Sequence, residues 1–185
     1  MACVGDSLTN GSLAVPGEPY PQHLGELLGP TWSVTNFGIP GELSGQMVSI
    51  VQSAASSGYN SLVLMGGIND AGTGVDAPTI LSNLETMYGI AQNARMAPVV
   101  AVTLMPVGNA PGWSPAEQTV IEAVNAGIRN YAPAHGLPLF DAYAAFGEPG
   151  HPTQLAAAYD IGDGVHINDA GNVLFAKSVA AILSL

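Results

Sequence analysis

Two short segments at opposite ends of the chain carry side chains whose types and spacing could together move an acyl group. Near the start stands Gly5-Asp6-Ser7-Leu8-Thr9, and near the end Asp163-Gly164-Val165-His166. A serine hydroxyl is a weak nucleophile until a base takes its proton, and an imidazole needs a carboxylate to fix its tautomer. Ser7, His166 and Asp163 supply those three groups. The three-residue spacing from Asp163 to His166 suits a turn in which the carboxylate accepts the ring N–H while the other nitrogen faces Ser7. Of the other histidines, His23, His135 and His151, the main rival is His151, which has no aspartate at the matching offset. Asp160 is a possible stand-in for Asp163, and Asp6 is placed to anchor the turn at Ser7 through backbone hydrogen bonds.

Such side chains need a frame. Short apolar, β-rich runs predict strands at Ala2–Gly5, Ser33–Phe37, Ser61–Gly66, Val99–Leu104 and Leu137–Phe140. Between and after them, helical spacing predicts helices over Tyr20–Leu28, Gly41–Ser57, Thr79–Met96, Ser114 to about Ala132, and Asp169–Ser184. Ser114-Pro115-Ala116-Glu117 has the pattern of a capping box with proline in the first turn. This alternation implies an α/β fold: a three-layer α/β/α, flavodoxin-like sandwich with a five-stranded parallel sheet, formed as one domain over residues 1–185. In such sheets, sites form outside the carboxyl ends of the strands. Ser7, Gly38 and Asn69 follow the first three strands, and all three are expected at that edge.

The chain resembles the SGNH (GDSL-type) hydrolases. Four blocks carry the resemblance, in that family's order: Gly5-Asp6-Ser7-Leu8-Thr9-Asn10-Gly11, Asn36-Phe37-Gly38-Ile39-Pro40-Gly41, Gly67-Ile68-Asn69-Asp70 and Asp163-Gly164-Val165-His166. The resemblance implies Ser7 as nucleophile, His166 as base and Asp163 as its orienting acid. It implies an oxyanion hole formed by the Ser7 and Gly38 backbone N–H groups and the Asn69 side-chain amide. Asp70 is expected to support its own loop.

Composition narrows the partners. The chain has 185 residues, with 14 acidic side chains and three basic ones, Arg95, Arg129 and Lys177. No basic patch can form, which disfavours nucleic acid, anionic membrane surfaces and substrates held through phosphates. The 23 glycines and 14 prolines, about a fifth of the chain, indicate structured loops rather than low complexity. Cys3 is the only cysteine, so an internal disulfide is excluded, and its apolar run makes it a buried, inert thiol. No run of 18 apolar residues exists to span a membrane, and only Met1 to Val4 precede Gly5, so this sequence shows no signal peptide and leaves the compartment open. There is no Gly-x-Ser-x-Gly elbow, no His-Glu-x-x-His or Cys-x-x-Cys metal motif, and no P-loop. Neither a metal nor a cofactor is expected.

Met105, Trp113, Tyr143, Phe146 and Tyr159 fall in the loops Met105–Trp113 and Asp141–Gly162, where they either line a substrate pocket or pack the loops. Those loops, with Asp70–Gly74, are modest, which points to an open, shallow site for short-chain aryl, alkyl or sugar esters. Other readings are a non-catalytic carbohydrate- or protein-binding module, a lysophospholipase or thioesterase, and a flavin binder with a phosphate cradled by Ser7 to Ser12.

Overall fold

The computed structural model describes residues 1–11, 13 and 17–184; Ser12, the last residue of the alternative phosphate cradle, lies outside them. Five strands form one parallel sheet: β1 (Ala2–Gly5), β2 (Thr35–Gly38), β3 (Leu62–Leu64), β4 (Val99–Val102) and β5 (Leu139–Phe140). Their order is β2-β1-β3-β4-β5, the flavodoxin-like doubly wound arrangement. Ala2, Cys3 and Val4 of β1 and Leu62 to Leu64 of β3 are completely buried, as strands covered on both faces must be. The Cys3 thiol is among them, and burial pushes its pKa up to about 12, so it stays protonated and unreactive.

Helices cover the two faces. On one side α3 (Ser44–Ser56), α5 (Ala77–Asn93) and α6 (Pro115–Ala134) pack in sequence. On the other lie α2 (Tyr20–Leu28) and α8 (Asp169–Leu183). The Tyr20 and Phe175 rings stack at 3.9 Å between α2 and α8, and Asn172 Oδ1 accepts the Tyr20 N–H at 2.9 Å.

The boundaries differ from expectation for local reasons. The strands are shorter at the carboxyl end of β3 and β4, where the chain turns into site loops. The Gly41–Ser57 helix begins only at Ser44, because Gly41 is left-handed (φ 78°) and Leu43 is extended. The Thr79–Met96 helix begins earlier, at Ala77, because the Asp76 side chain caps it through the Thr79 N–H; it ends before Arg95, which is left-handed. The Ser114 capping box is present, with Ser114 N–H donating to Glu117 Oε2 at 2.6 Å. Short elements went unread: α1 (Ser7–Asn10), α4 (Ile68–Gly72), α7 (Ala142–Phe146), and an antiparallel hairpin of β6 (Gly147–Glu148) and β7 (His151–Leu155). His151 is an exposed residue of that hairpin.

Candidate active site

Ser7 opens α1 where the chain leaves β1. Asp6 caps this helix, its Oδ1 accepting the Leu8 N–H at 3.0 Å. The Ser7 N–H, at the first helical position, has no partner among the described residues. At the far end of the chain, the turn before α8 carries His166. Its Nε2 lies 2.8 Å from Ser7 Oγ and its Nδ1 lies 2.6 Å from Asp163 Oδ2. Asp163 is fixed in turn, since its Oδ1 accepts the Val165 and His166 N–H groups at 2.9 and 2.8 Å. Burial pushes the Asp163 carboxyl up, but the hydrogen bonds from the His166 backbone and ring and the Val165 amide outweigh it and hold its pKa below the ordinary value. With a carboxylate accepting from Nδ1, Nε2 is left as the acceptor facing the serine hydroxyl.

Asp160 does not substitute for Asp163. Its oxygens accept the Gly162, Asp163 and Gly164 amides at 2.7 to 3.1 Å, and neither is bonded to the His166 ring. Asp70 reaches beyond its own loop: it accepts the Ser44 N–H at 2.8 Å and the Ser44 hydroxyl at 2.6 Å, fixing the start of α3. Asp6 is buried, its Oδ2 lacks a partner among the described residues, and burial raises its pKa to about 6.

Gly38 is placed beside Ser7's strand, paired with Gly5, but its N–H is occupied. It donates to Asn36 Oδ1 at 2.8 Å, so it is not a free donor for an oxyanion. Gly38 is needed for another reason: a Cβ there would lie 2.2 Å from Asn10 N and 2.7 Å from Asn10 Cα. Along the same loop, the amides of Ile39, Glu42, Leu43 and Ser44 are all bonded, and Pro40 has none. The Gly41 amide alone in that stretch lacks a partner among the described residues. Asn69 Nδ2 donates to the neighbouring Glu42 carbonyl at 3.1 Å, with its second N–H left over. Gly41 lies in the second block, but its unoccupied amide was not anticipated. The signal is the pattern of amide use, which sequence does not display.

The expected pocket residues scatter. Met105 and Phe146 are fully buried core side chains and line no surface: Met105 continues the core beyond β4, and Phe146, at the end of α7, packs against Phe140 and Phe175. The Tyr143 hydroxyl accepts from Gln118, and its ring sits 5.7 Å from the Arg129 guanidinium. Tyr159 packs edge-on against Phe146. Trp113 packs toward α4, one turn from Asn69, with Cζ3 3.7 Å from where a Gly72 Cβ would stand. Ser7 and His166 instead share a cleft of about 10 Å³ with Leu8, Gly11, Leu13, Ile167 and Asn172. Among the described residues, Glu18, His23 and Glu26 bring potential ligand atoms within 4.8 Å of one another, but both carboxylates are exposed and His23 pairs with Asp169, the ordinary state of a surface charge cluster.

No helix among the described residues is long and apolar enough to cross a membrane. No curated protein matches the chain. Solved structures do. A GDSL-like lipase from Bacteroides thetaiotaomicron is 20% identical with a TM-score of 0.82, covering 99% of this chain and 87% of that one. A lipolytic protein of the G-D-S-L family from Veillonella parvula is 19% identical at 0.79, covering 99% and 97%. The inhibitor-bound M. smegmatis aryl esterase is 18% identical at 0.78, with the same coverage. These likenesses establish the fold, and the family model of the GDSL-like lipase/acylhydrolases matches residues 3–174. With nearly the whole chain inside that match, it belongs to the GDSL-like lipase/acylhydrolase family and is a carboxylic ester hydrolase.

Proposed function

We propose that the chain, acting as one catalytic domain over residues 1–185, is a serine esterase for short-chain carboxylic esters. One observation carries the proposal: the unbroken line from Ser7 Oγ through His166 to Asp163, at 2.8 and 2.6 Å. Ser7 Oγ attacks the ester carbonyl carbon as His166 Nε2 takes the hydroxyl proton. The tetrahedral intermediate expels the alcohol, which leaves with that proton, and the acyl group stays on Ser7. Water, losing a proton to Nε2, adds to the acyl carbon. Ser7 then departs with the proton and the acid is released. Asp163 stabilises the imidazolium in each half and is not itself protonated.

The donors for the oxyanion are the Ser7 N–H, the free Asn69 amide hydrogen and the Gly41 N–H in place of Gly38. Each is worth roughly 3–4 kcal/mol of transition-state stabilisation in comparable sites. The preference for short acyl groups is supported by the absence, among the described residues, of a deep apolar channel leading from Ser7 and His166, which border only a small cleft. Large apolar side chains left exposed include Leu13 and Ile39, which lie in the segments that carry the site and suit an uncharged, apolar ester.

The test is hydrolysis of a series of aryl esters from acetate to octanoate. Ser7→Ala is expected to lose at least 10³-fold in kcat, and the parent is expected to prefer acetate and butyrate. Full activity in Ser7→Ala overturns the nucleophile. An octanoate optimum overturns the short-chain reading in favour of a lysophospholipase or thioesterase.

A further inference from the structure

The turn that bears Asp163 and His166 is closed at its base, where the Ile161 N–H donates to the His166 carbonyl at 3.1 Å and Asp160 bridges to Ile167. Gly162 and Gly164 flank Asp163, both at positive φ (108° and 75°), so the carboxylate stands between the two residues with the greatest conformational freedom. Asp163 Oδ1 is held from the front by the Val165 and His166 amides, and the Asp163 backbone is held from behind by a second carboxylate. The carboxylate of Asp160 gathers three N–H groups: Oδ1 accepts from Gly162 at 2.7 Å, Asp163 at 3.1 Å and Gly164 at 3.1 Å, and Oδ2 shares the Gly164 amide at 3.1 Å. Asp163 is therefore clasped from behind by its backbone while its side chain reaches forward to His166.

This clasp is tied to the sheet. Asn109, in the loop after β4, accepts the Leu155 N–H at 2.9 Å and donates back to the Leu155 carbonyl at 3.4 Å, with a long contact of 3.5 Å to Asp160 Oδ2. Beside it, Gly108 N–H donates to the Thr153 carbonyl at 2.7 Å. The turn also presses on this loop directly, since a Cβ on Gly164 would lie 2.6 Å from the Ala110 nitrogen.

We infer that Asp160 is a positioning residue for the Asp163–His166 pair, and that Asn109 couples the turn it shapes to the loop after β4. The inference rests on the proposed serine mechanism. Asp160 touches no reacting atom. It acts by making one orientation of Asp163 the dominant one, so that the imidazole meets Ser7 in a reactive geometry rather than in one of several. A placement role of this kind lowers turnover while leaving substrate binding alone, because the binding surface is built by other residues.

The experiment compares Asp160→Ala, Asp160→Asn, Asn109→Ala and Ser7→Ala with the parent. Measured for each are kcat and KM on an aryl acetate, the rate of covalent labelling by a fluorophosphonate, and the thermal midpoint. Asp160→Ala is expected to lose roughly 100-fold in kcat and in labelling rate, with KM within about twofold. Asp160→Asn, which keeps an acceptor oxygen for the three amides, is expected to recover to within about fivefold of the parent. Asn109→Ala is expected to fall by about tenfold in kcat with KM unchanged. A parental kcat in Asp160→Ala, or a loss confined to KM, overturns the inference. So does Asp160→Asn as poor as the alanine variant, which would make the charge itself the working feature. If Asp160→Ala does not fold, the decision passes to Asn109→Ala, whose unchanged kcat overturns the coupling and with it the inference. Ser7→Ala separates the two readings: if it is inactive while Asp160→Ala is normal, only the positioning role fails, whereas an active Ser7→Ala removes the mechanism beneath it.

Discussion

At the carboxylate of Asp6, capping and burial pull in opposite directions. Oδ1 serves the Leu8 amide and so fixes the helix that begins at Ser7, while Oδ2 is buried without a partner among the described residues. Burial raises the folded-state pKa from 3.8 to about 6. The neutral form is thus favoured by folding: its contribution is complete below pH 3.8 and disappears as pH rises through 6. Above that window the ionised group costs roughly 3 kcal/mol. Asp6→Asn keeps an acceptor for Leu8 and avoids the charge, so its thermal midpoint is expected to exceed the parent's at pH 8 and to match it near pH 4. Calorimetry at the two pH values checks this, and an equal offset at both contradicts it. The hydrogen-bonded line of Ser7, His166 and Asp163 was legible in the sequence because Asp163 and His166 share one turn and Ser7 sits directly after a strand. The occupied amide of Gly38 was not, because Gly38 and Gly41 are alike as letters, and their backbone conformation, surroundings and amide partners appear only in the fold. Met105 and Phe146 misled for a similar reason: an apolar side chain in a loop does not say whether it faces the core or a cleft.

Among the elements, those long enough to show a period were readable, and α2 appears with the expected ends. The four-residue α1, five-residue α4 and α7, and the β6–β7 hairpin are too short to impose a pattern, yet Ser7 and Asn69 stand on two of them. Two contrasts test how the elements are held. Gly38→Ala drives a methyl into the Asn10 backbone at 2.2 Å and must displace α1, whereas Gly41→Ala meets nothing within 4 Å. Gly38→Ala is therefore expected to cost several times more stability than Gly41→Ala, whose left-handed backbone costs roughly 1–2 kcal/mol. Urea denaturation of both variants measures the difference, and equal midpoints would contradict the close approach. Ser114→Ala removes the cap at the start of α6, and about 1 kcal/mol is expected to be lost with kcat unaffected. A fall in kcat there would mean that the start of α6 positions the site through α4, the helix bearing Asn69, against which α6 packs.

For the whole molecule, the formal net charge of −11 sets a mutual repulsion that few cations relieve. Of the three basic side chains, Arg129 is bound in a fork to Asp141 at 2.8 and 2.9 Å, tying α6 to the end of β5. Raising NaCl from 10 mM to 0.5 M screens the repulsion and is expected to raise the thermal midpoint. A lowered midpoint would mean that ion pairs dominate over the excess negative charge. A last consequence follows from where the proposed working groups sit along the chain. Ser7, Gly41 and Asn69 precede the exposed, left-handed Arg95, and Asp163 and His166 follow it. Severing the polypeptide at that bend would yield two inert halves that share the β3–β4 seam and the Tyr20–Phe175 stack. Their noncovalent complementation would then announce itself as turnover of a chromogenic ester, making this enzyme a natural template for a split sensor of proximity.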